Sequence, residues 1–373
     1  MSTIKTNAIL DASGGNTTTI NGTTPTAYNT MGKNRIINGA MGISQRGTSF
    51  SSHTGGYTLD RFDVTNSNSG AITVNQSSES PDGFSNSLHI DVTTADTSVA
   101  AAEYCSIRYK FEGQDLQDLA YGSTSAKTIT LSFWVKSTVT GDYTFELYQN
   151  DASPSRGYTA VYTVNSADTW EKKTITISGD TSGTINNDNG VGLSIHWNLM
   201  AGSDYQGNSS TDNTWSTYVQ AGYANGQTAN ALSSTSNNFY ITGVQLEVGS
   251  VATEFERRPY GTELQLCQRY FETSYPYGTS FGSFQPGFAS GTTSGGATGQ
   301  VNGNSFKVTK RAVPTITLYN AVAGTSGGVY RVSDAANVST TASYIGTTAI
   351  GYLTLGASSE NGYYWHFTAN AEL

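Results

Sequence analysis

Charge is scarce in this chain: only 13% of its 373 residues are Asp, Glu, Lys or Arg, well below the usual quarter or so. There are only 7 prolines and 2 cysteines. No run of Lys and Arg is present, and the formal net charge is −9. Sequence-independent binding to DNA or RNA needs basic residues to neutralise phosphates, so nucleic acid is excluded as an expected partner. No apolar stretch approaches the roughly 18 residues of a spanning helix, so membrane insertion is not expected. Residues Met1–Asn7 lack the charged and apolar regions of a signal peptide, and a soluble chain not secreted by the standard route is expected. The four histidines, His53, His89, His196 and His366, have no His or Cys neighbour at metal spacing. There is no CxxC and no Gly-rich loop followed by Lys-Ser/Thr, so redox and phosphate-loop chemistry have no sequence support.

What the chain has instead is glycine (41), tyrosine (23) and phenylalanine (14), with much Thr, Ser and Asn. These favour strands and turns over helix interiors. Low charge with many aromatics also argues against disorder. From residue 34 to 258 short stretches alternate with period two. Ile129, Leu131, Phe133 and Val135 face one way between Thr128, Thr130, Ser132 and Lys136. Tyr143, Phe145 and Leu147 follow a turn at 140–142. Leu88, Ile90 and Val92 alternate with His89 and Asp91, Ile175 and Ile177 with Thr174 and Thr176, and Leu193, Ile195 and Trp197 with Ser194 and His196. Half-buried strands with turns between them predict a jelly-roll β-sandwich. Phe239 and Ile241 share one phase, while Val244, Leu246 and Val248 share the other, and Gly243 at the switch predicts a β-bulge.

The segment 1–33 is too poor in apolar residues to form a core, and it reads as an extended attachment arm. Residues 259–272 carry the one helix signal, Thr262–Phe271, with Thr262 and Gln265 placed for a capping box and Leu264, Cys267 and Phe271 on one face. Residues 273–373 return to β and form a second, smaller sandwich, with alternation at Phe306 and Val308, at Ile316 and Leu318, and at Tyr363, Trp365 and Phe367. The Gly-rich stretch 291–304 reads as a loop or hairpin tip. The expected architecture is therefore all-β: arm, jelly roll, linking helix, small C-terminal sandwich.

Candidate chemistry is sparse. Asp60 with Asp63 and Glu254 with Glu256 could pair as in a glycosidase, but at such spacings in a β-protein they read as ion-pair or turn residues, and no catalytic residue is assigned. Asp180, Asp188 and Asp204 lie in oxygen-rich loops that would suit a structural calcium ion, though no ligand pattern is legible and no other cofactor is expected. His89 and His196 fall on polar strand phases and read as solvated. Cys105 and Cys267 read as two buried thiols, with a disulfide between them left open. The strongest signal is the long loop 198–226, where Tyr205, Trp215, Tyr218 and Tyr223 stand among Asn, Gln, Ser and Thr. Aromatic faces stack on the apolar C–H groups of sugars while amides bond the hydroxyls, which makes these four the candidate glycan-binding residues. The competing reading is that they pack the loop onto the sandwich or fill a subunit contact. A second aromatic group, Tyr275, Tyr277, Phe281, Phe284 and Phe288, reads more readily as packing.

Three passages carry a resemblance. Asn34-Arg35-Ile36-Ile37-Asn38-Gly39-Ala40-Met41, with Gln45-Arg46-Gly47 and Tyr57-Thr58-Leu59-Asp60-Arg61-Phe62, resembles the opening of a jelly-roll module common in bacteriophage tail-fibre and virion proteins. Val244-Gln245-Leu246-Glu247-Val248-Gly249, with Ala252-Thr253-Glu254-Phe255-Glu256-Arg257-Arg258-Pro259, resembles its closing strand. Leu266-Cys267-Gln268-Arg269-Tyr270-Phe271 is similar to the link that follows. The ends, Ser2–Gly15 and Val313–Asn320 with Ala369–Leu373, are similar to fibres of phages of marine bacteria. The module also looks like carbohydrate-binding jelly rolls. The resemblance implies a non-enzymatic virion protein, assembled in the host cytoplasm and held to other virion proteins by its N-terminal arm. It implies a homotrimer that attaches to host surface glycan; the alternatives are a purely structural head fibre, decoration protein or adaptor, or a polysaccharide-degrading accessory module.

Overall fold

The computed structural model of the chain describes residues 32–207, 212–293, 299–355 and 362–373; the arm expected over 1–33 lies outside them except for Gly32 and Lys33. In chain order the first strands are β1 (Ser49–Phe50), β2 (Phe62–Ser67), β3 (Ala71–Ser77), β4 (Ser87–Thr94), β5 (Tyr104–Glu112), β6 (Ile129–Ser137), β7 (Gly141–Gln149), β8 (Arg156–Val164), β9 (Glu171–Ile177), β10 (Val191–Ala201), β11 (Ser216–Thr217) and β12 (Asn238–Val248). They form two antiparallel sheets, a back sheet β1-β3-β4-β12-β6-β9 and a front sheet β11-β8-β7-β10-β5-β2. The chain changes sheet after β1, β2, β4, β5, β6, β8, β9 and β11, so many strand neighbours are distant in sequence, as in a jelly roll.

The period-two residues make the core. Leu88, Ile90, Leu131, Phe133, Val135, Ile241 and Leu246 of the back sheet meet Ile107, Tyr143, Phe145, Leu147, Ile195 and Trp197 of the front sheet in one cluster. The phase slip in β12 is a bulge: its register on β6 jumps between Thr242 and Gln245, and Gly243 takes φ +61°. A Cβ at Gly243 would lie 2.7 Å from Phe84 Cζ and 2.9 Å from Trp134 Cδ1.

The passages quoted for the resemblance meet at one knot beside this bulge. Asn38, at φ +62°, donates from Nδ2 to the Ile43 and Asp60 carbonyls and accepts the Ile43 N–H. Asn34 accepts the Ile36 and Leu246 N–H groups and donates to the Val244 carbonyl. Arg258 donates to the Asn34 and Ile36 carbonyls and pairs with Glu263 at 3.2 Å. Gly32 and Lys33 run along the same strip, Gly32 N–H to Glu256 at 2.6 Å and Lys33 to the Glu254 carbonyl at 2.6 Å. These side chains supply backbone groups at the seam with hydrogen-bond partners that a strand ladder would otherwise provide.

The helix α1 spans Tyr260–Gln268 and starts two residues before the expected Thr262. Pro259 is its cap and no side chain caps it, so the expected Thr262–Gln265 box is not formed; Glu263 instead turns to Arg258 and the Asn38 N–H. Cys267 is buried on its inner side, but Phe271 already belongs to a strand. Beyond the helix lie β13 (Phe271–Thr273), β14 (Ala289–Thr292), β15 (Gly299–Asn302), β16 (Thr315–Asn320), β17 (Gly328–Arg331), β18 (Ala336–Ser339), β19 (Thr341–Ile345), β20 (Ile350–Leu355) and β21 (Gly362–Asn370). β21 pairs with β13, β14, β16 and β17, and a three-stranded sheet β15-β20-β19 packs over it, burying Val301, Leu353, Leu318, Trp365 and Phe367. Phe306 joins this core from irregular chain, so the alternation expected at Phe306 and Val308 is not a strand. Of the Gly-rich stretch 291–304, expected as a loop or hairpin tip, residues 291–292 end β14 and 299–302 form β15; these strands lie in different sheets and are not a hairpin, and 294–298 lie outside the described residues.

Ion pairs fix this smaller unit to the sandwich. Arg269 makes a bidentate pair with Glu112, both contacts 2.7 Å. Arg61, 1% exposed, pairs with Glu372, which also meets Arg46 at 3.2 Å. The Arg61 guanidinium lies 3.5 Å from the Tyr270 ring centre. The carboxylates expected to be structural are so: Asp60 accepts both the Gln45 N–H and its side-chain amide at 2.6 Å, and Asp63 pairs with Arg108. Cys105 and Cys267 are free and buried, and burial pushes the Cys105 thiol up to about 12.

Candidate functional site

The outward residues of the front sheet are unusually well covered. On β5 these are Tyr104, Ser106, Arg108 and Lys110, and on β10 they are Ser194, His196 and Asn198. Residues 202–207 and 212–231 fold back across them. Asn198 Nδ2 donates to the Tyr223 carbonyl at 2.9 Å, the Tyr223 hydroxyl reaches Ser106 Oγ at 3.0 Å, and Gln227 accepts the Thr144 N–H at 2.5 Å. Short 3-10 turns at Ser203–Tyr205 and Gln220–Gly222 shape the loop. Tyr218 is held by its N–H to the Ser155 carbonyl at 2.8 Å.

What the loop leaves uncovered is an open depression of about 230 Å³. Its walls are Tyr104, Tyr205, Tyr218 and Gln220, and its floor is Arg108, His196 and Tyr223. The rings stand at angles to one another: Tyr104 and Tyr205 have centroids 5.2 Å apart at 62°, and Tyr205 and Tyr223 5.6 Å apart at 60°. Tyr148 braces Tyr218 from outside, 4.7 Å between centroids. Edge-to-face neighbours fix each ring while leaving faces available to a ligand.

The electrostatics are those of a recess whose groups are neutral apart from one guanidinium. His196 Nδ1 lies 2.8 Å from a Glu146 oxygen. Burial pushes the imidazole down to about 3 and the Glu146 carboxyl up. The pair therefore holds one proton and no net charge, whichever atom carries it. Burial disfavours charge on Arg108, but the Asp63 carboxylate outweighs this and keeps it a fixed cation. Burial raises the Tyr205, Tyr218 and Tyr223 hydroxyls, so they stay protonated donors. Faces of tyrosine, an amide, a guanidinium and neutral donors suit a ligand carrying both C–H faces and hydroxyls.

Of the four residues singled out in the sequence, the structure brings Tyr205, Tyr218 and Tyr223 to one depression. Tyr223 is buried there and acts as its floor. Trp215 lies elsewhere. It is half-buried against the sandwich core at the sheet edge, its ring 5.8 Å from Tyr121 and 5.6 Å from Tyr158, and its indole N–H donates to the Ser178 carbonyl at 2.8 Å. Those contacts are loop packing. Tyr104, Arg108, His196 and Gln220 were not singled out; the signal for the first two was their position on the polar phase of β5. His196 is not the solvated residue expected, because the loop covers it, and His89 stacks on Tyr240 at 4.2 Å. Of the second aromatic group, Tyr275 is buried and stacks on His366 at 3.9 Å, whereas Phe284 is exposed.

Asp180 pairs with Arg156 at 2.5 Å and Asp188 accepts the Gly190 N–H, so two of the three carboxylates considered for calcium are engaged locally. Among the described residues no group of three or more His, Cys, Asp or Glu could hold a metal ion.

No family model matches the chain, and no curated protein matches it. Among solved structures, it is similar to the enzymatically active domain of tailspike protein 4 of bacteriophage CBA120, with 10% identity over 58% of this chain and a TM-score of 0.31. The match spans 21% of that tailspike chain, about a fifth of its length. It is also similar to the family 11 carbohydrate-binding module of Clostridium thermocellum in complex with a β-1,3-1,4-mixed-linked tetrasaccharide (14% identity, 56% of this chain, 99% of that one, TM-score 0.29). A third is the CBM22-2 xylan-binding domain of Paenibacillus barcinonensis Xyn10C (15% identity, 58% and 98%, TM-score 0.28).

Proposed function

We propose that this chain is a non-catalytic attachment protein of a bacteriophage particle, and that it binds a glycan of the host surface in the tyrosine depression of its front sheet. The observation that carries the glycan reading is the convergence of Tyr104, Tyr205 and Tyr218 with Gln220 and Arg108 in one open recess. Stacking faces and hydroxyl-bonding groups are what a pyranose ring needs, and a long loop on a rigid sandwich is where binding usually sits. On the non-catalytic reading Glu146 and His196, bonded to each other beneath the recess, brace its floor. The phage reading rests on the Asn34–Met41 and Val244–Pro259 passages, which here build one seam. By the same resemblance the chain forms a homotrimer joined to other virion proteins through residues 1–33. Light scattering of the purified chain tests the trimer, and a monomer would overturn it.

The test of binding is a glycan array probed with the purified chain and with Tyr218→Ala. Removing one stacking ring should weaken the retained glycan by about 1–3 kcal/mol, roughly fivefold to 150-fold. Equal retention by both proteins would reject this site.

A further inference from the structure

The outer face of the back sheet carries its own recess. It has a volume of about 430 Å³, within the roughly 300–1,000 Å³ of small-molecule sites. It opens at the Gly243 bulge. Because Gly243 has no side chain, Phe84 and Trp134 can close on it from either side. Trp134 is partly exposed, and among the described residues its indole has no ring, cation or hydrogen-bond partner. Phe84 stands edge-on to Phe255, 5.1 Å between centroids, and Arg257 lies over both rings at 4.8 and 5.6 Å. This stack is a fixed wall, with the Arg257 Nη2 donating to the Gly83 carbonyl. Lys172 sits directly across from Trp134 in the β6–β9 register.

The rim carries two cations, Lys172 and Arg257, and two carboxylates, Asp82 and Glu254. Among the described residues none of the four side chains is in an ion pair. Their formal charges cancel, yet donors and acceptors alternate around an indole face. That combination suits hydroxyls, each of which donates and accepts, and does not suit a net charge of either sign.

We propose that this recess is a second saccharide site, taking a neutral pyranose that stacks on Trp134 with its hydroxyls between Lys172, Arg257, Asp82 and Glu254. It stands on the opposite face from the tyrosine depression and does not depend on that depression binding sugar. Two sites on opposite faces give one chain two points of attachment, and in any oligomer they multiply avidity.

The test follows the tryptophan indole N–H signals of the full chain by NMR, with the Trp134 signal assigned through its loss in Trp134→Phe. The probes are methyl glycosides of glucose, galactose, mannose, rhamnose, N-acetylglucosamine and N-acetylgalactosamine, with glucuronate and galacturonate as charged controls. At least one neutral glycoside should move the Trp134 signal saturably, equally in the wild type and in Tyr218→Ala. The shift should persist in about 0.5 M sodium chloride, where charge attraction is screened within a few ångströms. Lys172→Ala, an exposed change that spares the fold, should weaken that binding about tenfold. A Trp134 signal that no neutral glycoside moves, one that only the uronates move, or one that Tyr218→Ala silences would each overturn the proposal. If the front-face reading fails instead, the Trp134 shift survives while Tyr218→Ala leaves array binding unchanged.

Discussion

Replacing Trp215 with alanine should unfold the protein more easily and leave glycan binding intact. The ring is half-buried against Tyr121 and Tyr158. Complete burial of a tryptophan makes its truncation cost about 3–5 kcal/mol, so half-burial brings this to about 2 kcal/mol. The indole N–H to the Ser178 carbonyl at 2.8 Å adds about 1 kcal/mol, because the carbonyl loses its partner. A total of about 3 kcal/mol corresponds to a fall in Tm of about 6–12 °C for a unit of this size. Trp215→Phe keeps most of the ring contact and loses the hydrogen bond, so it should lose about 1 kcal/mol. Calorimetry on the two variants and the wild type, with array binding measured on the same samples, decides the matter. An unchanged Tm with binding lost in Trp215→Ala would return Trp215 to the role of sugar platform and refute the packing account.

Other consequences are as direct. Glu372→Ala should destabilise the chain by about 3–5 kcal/mol in denaturant titration, since it leaves the Arg61 guanidinium buried without its carboxylate; a loss near the roughly 0–1 kcal/mol of a surface pair would show that the clamp is solvated. The Glu146–His196 pair gives a pH signature. Folded, it keeps one proton from about pH 3 up through the raised range of Glu146. Unfolded, His196 loses its proton near 6.5 and Glu146 near 4.5. Above pH 6.5 the folded state therefore binds more protons, and stability falls as pH rises. Glu146→Gln removes that proton while the His196 contribution is common to both proteins, so the wild-type minus Glu146→Gln stability difference should decline as pH rises above about 4.5, and a flat difference would refute the shared-proton description.

Strands were legible because each core residue declares itself by phase. Tyr143, Phe145 and Leu147 need no tertiary information to point inward together, and the reversal at Gly243 was visible as a break in that phase. The start of α1 was less legible. Pro259 and the Arg258–Glu263 pair position it, and they act through contacts with Asn34 and Ile36, more than 200 residues away in sequence. The site was half legible for a similar reason. Aromatic content in 198–226 marked the loop, but which rings face solvent depends on how the loop lies on β5 and β10. Trp215 falls on an edge, Tyr223 is pressed into Ser106, and Tyr104 and His196 enter from strands whose polar phase had read as open to water. A polar phase marks the outer face of a sheet; it does not say that water, and not another piece of chain, covers it.

The claim that matters most is that the front-face tyrosines hold a sugar. Binding of the purified chain to a bacterial surface-glycan array, compared with the Tyr205→Ala/Tyr218→Ala double variant, tests it most directly. The account predicts retention of at least one glycan by the wild type, its loss by at least tenfold in the double variant, and a Tm within a few degrees of wild type. Undiminished retention by a folded double variant would contradict it.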